Sequence, residues 1–287
     1  MIWQTSRFQI DLSRPRVMGI VNATPDSFSD GGAYFSGAQN LSAAMARCEQ
    51  LVADGADVLD IGGESTRPGA QPVSLEEELA RVLPVLRHAV TLNVPVSIDT
   101  YKPAVMQAVL DLGADIINDV WAFRQEGAVE VVARHAGCGV CLMHMHREPQ
   151  TMQASPMQGD IVPQVLSFLR QSAQTLKSAG VDRKRIVLDV GIGFGKTVAQ
   201  NFSLLARQCE FLAAGYPLMA AWSRKSSLFA VIADEPATGA VAITNADRLV
   251  PSVAAALLAV ERGARVVRVH DVRETAQALK VWLAATA

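Results

Sequence analysis

Eight short apolar segments of this sequence each end in side chains that can ionise or form strong hydrogen bonds. These polar ends are Asn22, Asp60, Asp99, Asn118 with Asp119, His144, Asp189, Ser223 with Arg224 and Lys225, and Arg268 with His270. Helix capping would explain any one of them, because Asp and Asn often begin the next helix. Polar ends on all eight segments favour a functional site instead.

The residue types indicate a ligand of mixed character. Asp99, Asn118 and Asp189 offer hydrogen-bond acceptors, which suit a heterocycle with an amidine-like or guanidine-like N–H edge. Lys225, Arg268 and His270 belong to the last two segments, where barrels often bind phosphate. Arg and Lys supply charge-assisted hydrogen bonds to phosphate oxygens. The pattern therefore predicts a ligand with an N–H-rich head and a phosphorylated tail.

The apolar segments are predicted to be β-strands, at 16–21, 57–61, 94–98, 115–118, 139–143, 185–190, 217–222 and 265–270. The stretches between them have helical periodicity, as at 75–90 (which begins with a capping box of Ser74 and Glu77), 162–179, 201–213, 246–262 and 272–285. Seven strands follow a residue that tolerates the left-handed conformation in which helices end. These residues are Gly55, Asn93, Gly113, Gly137, Gly180, Gly215 and Gly263.

Strands that alternate with helices predict a parallel sheet covered by helices. Eight such units predict a single α/β domain over 1–287, a (β/α)₈ TIM barrel in which chemistry lies where the strands end. An open doubly wound sheet would show the same local pattern. The residues before Arg16 are predicted to form a short hairpin that caps the bottom of the barrel.

Two of the predicted strand-to-helix connections are much longer than the usual two to six residues. They span 23–39 and 62–72 and contain several glycines. Long loops of this kind are typical of lids over active sites. Phe28 and Arg67 are predicted to close over a ligand from these two loops.

Composition excludes several classes of protein. The chain has 287 residues, of which 50% are hydrophobic and 19% charged, with a formal net charge of −2. This near-neutral balance argues against nucleic-acid binding, which needs a basic excess. We expect no membrane span and no signal peptide, because no apolar run is long enough. Four cysteines in a chain of this size indicate the reducing cytoplasm.

Two local patterns imitate other sites. Cys138 and Cys141 precede His144, but residues three apart on a strand point to opposite faces, so we expect buried thiols and no zinc site. The glycine-rich segment 191–197 imitates a phosphate loop, yet Val190 stands where that motif requires its first glycine.

At these polar strand ends the sequence resembles the dihydropteroate synthases, bacterial enzymes of the folate pathway. The matching motifs are MGIVNATPDSFSDGG at 18–32, DIGGESTRPG at 60–69, SIDT at 97–100, IND at 117–119, LMHM at 142–145, DVGIGFGK at 189–196, SRKS at 223–226 and RVH at 268–270. The family usually has other residues at His146, Gln200 and Phe229.

The resemblance implies condensation of 6-hydroxymethyl-7,8-dihydropterin pyrophosphate with 4-aminobenzoate, with Mg²⁺ as cofactor and a homodimer as the assembly. It places Asp99, Asn118, Asp189 and Lys225 on the pterin, and Asn22, Thr66, Arg268 and His270 on the pyrophosphate. It places Phe28, Thr66, Arg67, Pro68, Phe194 and Ser223 on the aminobenzoate. Asn22 would coordinate the metal, and the catalytic residues would be Asp99, Lys225, Arg268 and His270.

Two alternatives remain at this point. A methyltetrahydrofolate methyltransferase that acts on a corrinoid protein would share the barrel and the pterin residues. It has no use for a pyrophosphate site, so Asn22, Arg268 and His270 argue against it. A non-catalytic paralogue that binds a pterin or a partner protein is disfavoured by the polar residues at all eight strand ends.

Overall fold

Eight parallel strands close into a barrel in the order β10-β3-β4-β5-β6-β7-β8-β9. This computed structural model describes residues 1–24, 37–65, 70–148, 152, 154–233 and 246–286. The barrel strands are β3 (Arg16–Asn22), β4 (Val58–Gly62), β5 (Val96–Asp99), β6 (Ile116–Asp119), β7 (Gly139–Met143), β8 (Ile186–Asp189), β9 (Leu218–Ala220) and β10 (Ala264–Val269). Because the sheet closes on itself, the alternative of an open doubly wound sheet is excluded.

Helices follow the strands and cover the outside of the barrel, so the predicted (β/α)₈ TIM barrel is confirmed. They are α1 (Gly37–Ala53), α2 (Leu75–Ala89), α3 (Pro103–Asp111), α4 (Ala128–Arg134), α5 (Ile161–Ser178), α6 (Val198–Ala206), α7 (Ser226–Ile232), α8 (Leu249–Glu261) and α9 (Val272–Thr286). The predicted helix at 201–213 is divided, because α6 ends at Ala206 and a 3₁₀ helix follows (Gln208–Ala214). Among the described residues, no helix is both long and apolar enough to cross a bilayer.

The N-terminal hairpin closes the bottom of the barrel, as predicted. Strands β1 (Ile2–Gln4) and β2 (Gln9–Asp11) pair antiparallel. Trp3, Ile10 and Leu12 pack with inward-facing barrel residues in one apolar cluster. The indole Nε1 of Trp3 donates a hydrogen bond to the carbonyl oxygen of Arg185, at the start of β8 (2.8 Å). The bottom is therefore sealed, and the strands' carboxyl ends are left for chemistry.

The predicted helix-ending residues are confirmed with one exception. Asn93 and five of the glycines have positive φ, from 55° at Asn93 to 101° at Gly113. Gly137 does not, so the prediction is wrong there. A Cβ at Gly137 would lie 3.0 Å from the Cα of Ser6, so this glycine allows the N-terminal hairpin to pack closely.

The predicted capping box is half formed. Ser74 Oγ accepts the backbone N–H of Glu77, but the carboxylate of Glu77 binds Arg81. A complete box begins α6, where the side chain of Thr197 accepts from the backbone N–H of Gln200 and the side chain of Gln200 accepts in return.

Candidate active site

The polar residues at the strand ends belong to the inner surface of the barrel. Val58, Ile116, Val187 and Val266 pack together inside the barrel. Successive side chains alternate between the two faces of a strand, so residues two positions further on also face inward. Those residues are Asp60, Asn118, Asp189 and Arg268. Cross-strand register adds Asp99, which lies opposite both Gly62 of β4 and Asn118 of β6.

A buried ion network occupies the centre of this layer. Arg268 donates from Nε to Asp60 Oδ2 (2.5 Å) and from Nη2 to Asp99 Oδ2 (2.6 Å). Asn118 Nδ2 donates to the same Asp60 oxygen (3.3 Å). The side chain of Asp60 is completely buried, and that of Arg268 is 18% exposed. Three neighbouring acceptor groups and one cation are thereby held in fixed positions.

Burial and neighbouring charges shift the pKa values of this network in opposite directions. Burial raises the pKa of the Asp99 carboxyl, although the positive charge of Arg268 lowers it. Burial also disfavours the charged form of Arg268, but Asp60 and Asp99 outweigh it and raise the pKa of the guanidinium. The Oδ1 atoms of Asp60 and Asp99 are buried with no hydrogen-bond partner in the described part of the chain. These two oxygen atoms can accept N–H groups from a ligand.

Asp189 adds a third carboxylate to the site. Its Oδ1 accepts the backbone N–H of Gly191 (2.8 Å). Burial raises the pKa of Asp189, while the Gly191 hydrogen bond and the charge of Lys225 lower it. The carboxylate is therefore oriented by its own loop and lies in the field of a lysine.

Lys225 and Phe194 form a cation–π pair at the same rim. The Lys225 Nζ atom lies 4.5 Å from the centroid of the Phe194 ring, within the range for this interaction. The lysine stem passes over Gly193, where an added Cβ would lie 3.5 Å from Lys225 Cδ. The ring belongs to a buried apolar cluster with Val120, Met143, Met145 and Met152. A flat aromatic wall therefore lies beside the lysine whose charge acts on Asp189.

Ser223 and His270 meet where β9 and β10 end. Ser223 Oγ lies 3.0 Å from His270 Nδ1 and accepts the backbone N–H of His270 (3.1 Å). Arg47 of α1 donates to the carbonyl oxygen of His270 (2.6 Å). Ser223 thus orients the histidine ring, and Ser223 and Arg47 together hold the backbone of His270.

Comparison with known proteins identifies the family. The family model described as pterin binding enzyme matches residues 18–270. A dihydropteroate synthase from Neisseria meningitidis serogroup B is 50% identical over 285 residues, covering 98% of this chain and 96% of the relative. The chain belongs to the dihydropteroate synthase family. It is therefore a transferase.

Solved structures of dihydropteroate synthases agree closely with this chain. The enzyme from Burkholderia cenocepacia, complexed with 7,8-dihydropteroate, is 49% identical with a TM-score of 0.85, covering 99% of this chain and 96% of that one. The enzyme from Xanthomonas albilineans with 4-aminobenzoic acid is 45% identical with a TM-score of 0.87, covering 97% and 96%.

Nine of the thirteen predicted site residues lie in the described part of this family member, around the barrel's carboxyl end. They are Asn22, Asp99, Asn118, Asp189, Phe194, Ser223, Lys225, Arg268 and His270. Lys225 stands at the N-cap position of α7. The other four, Phe28, Thr66, Arg67 and Pro68, fall outside the described residues. Glu64 precedes Thr66, Arg67 and Pro68 in the chain and is described. Its carboxylate accepts a hydrogen bond from Tyr101 Oη (2.9 Å) and forms an ion pair with Lys102, which also pairs with Glu78 (2.6 Å).

Two residues have contacts that the sequence did not predict. Asp60 is predicted only as a polar strand end, yet it is the partner of Arg268. Lys196 is buried beside Asp189, in the glycine-rich segment that imitates a phosphate loop. Asp119, in contrast, has a local capping role, since its carboxylate accepts the backbone N–H groups of Trp121 and Phe123 at 2.7 Å each.

The departures from the dihydropteroate synthase motifs lie outside the central network. The backbone and Cβ of His146 lie against Gly195. Gln200 completes the capping box of α6 and donates to the carbonyl oxygen of Met157 (2.7 Å). The ring of Phe229 lies 4.4 Å from the Arg248 guanidinium.

The residues at this rim fit a magnesium ion that arrives with phosphate. Asn22 is the last residue of β3 and is half-buried. No group of three or more His, Cys, Asp or Glu side chains suited to a metal occurs among the described residues. Mg²⁺ commonly takes one or two protein oxygens and completes its shell with water and phosphate. The amide oxygen of Asn22 would supply one such protein ligand.

Proposed function

We propose that this chain condenses 6-hydroxymethyl-7,8-dihydropterin pyrophosphate with 4-aminobenzoate to give 7,8-dihydropteroate and pyrophosphate. The observation that carries the proposal is the junction of Asp60, Asp99 and Arg268. Two carboxylate oxygens there have no hydrogen-bond partner among the described residues and lie next to a guanidinium. Free acceptors beside a cation suit a ligand with an N–H-rich ring and a charged tail. The Burkholderia and Xanthomonas structures, which hold the product and the arylamine, support the same assignment.

The pterin ring binds through its N–H groups to the inward acceptors. Asp99, Asn118 and Asp189 present these acceptors from three strands, and their positions are fixed before the substrate arrives. Lys225 donates to a ring acceptor from the opposite side. The Phe194 wall lies beside Lys225 and places the arylamine next to the exocyclic methylene carbon.

Pyrophosphate leaves as the C–O bond at the methylene carbon breaks. Arg268 uses Nε and one hydrogen of Nη2 on its two carboxylates, and its remaining N–H groups can bind the leaving oxygens. His270, held by Ser223, adds a second donor. A Mg²⁺ held by Asn22 and the phosphates would neutralise charge on the leaving group.

The carbon centre then carries positive charge that spreads into the pterin ring. Asp99 and Asp189 lie around that ring and stabilise the charge electrostatically. The amine nitrogen of 4-aminobenzoate forms the new C–N bond and releases its proton to the departing pyrophosphate or to water. The amine is a weak nucleophile, so the positioning of the two substrates contributes more than a dedicated base.

The proposal includes a homodimer and a cytoplasmic location. Val250 of α8 and Val281 of α9 are 75% and 71% exposed, and Leu258 of α8 is 41% exposed. Helices α8 and α9 pack together, so these apolar side chains offer a surface for a second copy. Light scattering after size-exclusion chromatography should give a mass of twice 30.7 kDa.

A direct assay tests the activity. The protein, Mg²⁺, dihydropterin pyrophosphate and 4-aminobenzoate should yield dihydropteroate and pyrophosphate in equal amounts. EDTA should abolish turnover, and Asn22→Ala should raise the Mg²⁺ concentration needed for half-maximal rate. Methyl transfer from methyltetrahydrofolate to a corrinoid protein would overturn the proposal in favour of a methyltransferase. Pterin binding without any product would overturn it in favour of a non-catalytic paralogue.

A further inference from the structure

Lys196 is a buried lysine that the proposed chemistry does not use. Its side chain is 3% exposed and lies between the loops that follow β7 and β8. The Nζ atom donates to the carbonyl oxygens of Gly191 (2.8 Å) and Phe194 (3.1 Å). It also lies 3.0 Å from Nδ1 of His144. An ammonium group has three N–H donors, so each of them has an acceptor.

His144 is built to accept this bond. Its pKa is lowered to about 2 by burial, with Lys196 acting in the same direction. The ring is therefore neutral, and Nδ1 accepts from Lys196 only when the ring proton is on Nε2. The ring also packs edge-on against Phe168, with 4.9 Å between the centroids.

The lysine is buried without a carboxylate in hydrogen-bond contact among the described residues. Burial lowers its pKa to about 7, although Asp189 acts to raise it. Placing an amine there has a cost in folding free energy. An apolar side chain would avoid that cost, so the contacts that the nitrogen makes must account for its presence.

Those contacts connect to both halves of the site. Gly191, whose carbonyl binds Lys196, donates its N–H to the Asp189 carboxylate (2.8 Å). Phe194, whose carbonyl also binds Lys196, carries the ring that lies under Lys225. The Nζ atom of Lys196 thus connects to the Asp189 carboxylate through Gly191, and it binds the backbone of Phe194, the residue that supplies the aromatic wall.

The two loops meet too closely for other side chains to separate them. A Cβ at Gly191 would lie 1.8 Å from the carbonyl oxygen of His144, and one at Gly195 would lie 2.6 Å from Cβ of His146. Lys196 therefore joins the loops at the place where their backbones touch.

We propose that Lys196 is a positioning residue whose nitrogen joins the loops after β7 and β8 and thereby orients Asp189 and Phe194 toward the substrates. The identity of those substrates rests on the proposed function. Lys196→Met removes the nitrogen and keeps most of the aliphatic stem. Lys177→Met makes the same change on the exposed face of α5 and is the matched control.

Backbone hydrogen exchange gives a readout that does not depend on activity. In Lys196→Met the amides of 190–195 should exchange at least about tenfold faster than in the wild type, because the carbonyls that anchor this loop lose their donor. The rest of the barrel and the Lys177→Met control should keep wild-type exchange. Unchanged exchange at 190–195 would overturn the proposal.

Steady-state kinetics supplies the second readout. We expect kcat/KM for dihydropterin pyrophosphate to fall about 10- to 100-fold in Lys196→Met, because small misplacement of binding groups has effects of this size. The control should stay within about twofold. Faster exchange with wild-type kcat/KM would also overturn the proposal, since the ordered loop would then have no part in the reaction.

A matched pair at His144 keeps the test decisive if Lys196→Met fails to fold. Asn and Leu have similar volumes, and both lose the Phe168 contact, but only Asn keeps an acceptor near the Nδ1 position. His144→Asn should retain more activity and protection at 190–195 than His144→Leu; equal behaviour would overturn the proposal. If the wild type makes no dihydropteroate, the proposed function fails, and exchange at 190–195 alone decides the role of Lys196.

Discussion

The Asp60 carboxylate and the Arg268 guanidinium lie 2.5 Å apart although 208 residues separate them in the chain. Their strands, β4 and β10, both pair with β3, so the contact spans a single strand of the barrel. Asp99 binds the same guanidinium on its other side. Two carboxylates thus fix the cation before any ligand binds, which lowers the entropy lost on binding.

Asp60→Asn should weaken this network without changing the size of the side chain. The amide oxygen can still accept a hydrogen bond from Nε but carries no charge, so Asp99 is then the charged partner that remains in this network. We expect kcat/KM to fall about 10- to 100-fold, since a donor for the leaving group is misplaced. Loss of one partner from a buried ion pair should also lower the free energy of unfolding by up to about 3 kcal/mol.

Steady-state kinetics and urea denaturation measure both effects. Asp54→Asn is the control, because Asp54 lies at the end of α1 and contacts only Gln50 among the described side chains. Kinetics within twofold of the wild type for Asp60→Asn would show that Arg268 does not need its second carboxylate.

The strands were predictable because burial on both faces admits little except apolar residues. A polar residue such as Asp60 at the end of such a run is equally visible. Its partner is not, because contact with Arg268 depends on closure of the barrel. Periodicity over a few residues contains no information about which strands become neighbours.

Ser223→Ala should disturb the leaving-group side of the site. The hydroxyl contacts both Nδ1 and the backbone N–H of His270, so its loss frees the ring to rotate. We expect inhibition by pyrophosphate to weaken about five- to tenfold, in keeping with a lost hydrogen bond of about 1 kcal/mol. Ser178→Ala, at the exposed end of α5, should leave that inhibition constant unchanged; an equal change in both variants would refute the orienting role.

Substitutions at two glycines distinguish the cost of backbone strain from the cost of steric overlap. Gly180 has a φ of 91° and nothing within 4 Å of an added Cβ, whereas Gly191 has a φ of 70° and a Cβ there would lie 1.8 Å from the His144 carbonyl oxygen. Gly180→Ala should cost about 1–2 kcal/mol, the price of a left-handed alanine. Gly191→Ala should cost at least about 3 kcal/mol more, or prevent folding. Urea denaturation monitored by circular dichroism compares them, and equal costs would contradict the packing described.

The environment of Lys196 in the loop after β8 could not be predicted from the sequence, for a related reason. The test for a phosphate loop correctly rejects 191–197, but it considers only neighbours in the chain. The acceptor that completes the environment of Lys196 is His144, which comes from another loop. Gly137 is a second example, because its lack of a side chain allows close contact with Ser6 of the hairpin and is not needed to end the preceding helix.

Acid should destabilise the wild type through His144. Its pKa is about 2 in the folded protein, against 6.5 for an ordinary histidine. Between these values the unfolded chain binds a proton that the folded protein does not, so stability falls as the pH falls below about 6.5. Each pH unit in this window costs up to about 1.4 kcal/mol. Between pH 7 and pH 4.5 the loss through this one residue should be about 2–3 kcal/mol.

His144→Asn isolates this contribution, because asparagine does not titrate. Urea denaturation of both proteins at several pH values gives their difference in unfolding free energy, from which the carboxylates common to both cancel. As the pH falls from 7 to 4.5, the wild type should lose about 2–3 kcal/mol more unfolding free energy than His144→Asn. Parallel stability curves would mean that the imidazole takes up a proton while the protein is folded. The ring could not then accept a hydrogen bond from the Lys196 ammonium, because both nitrogens of a charged imidazole are donors.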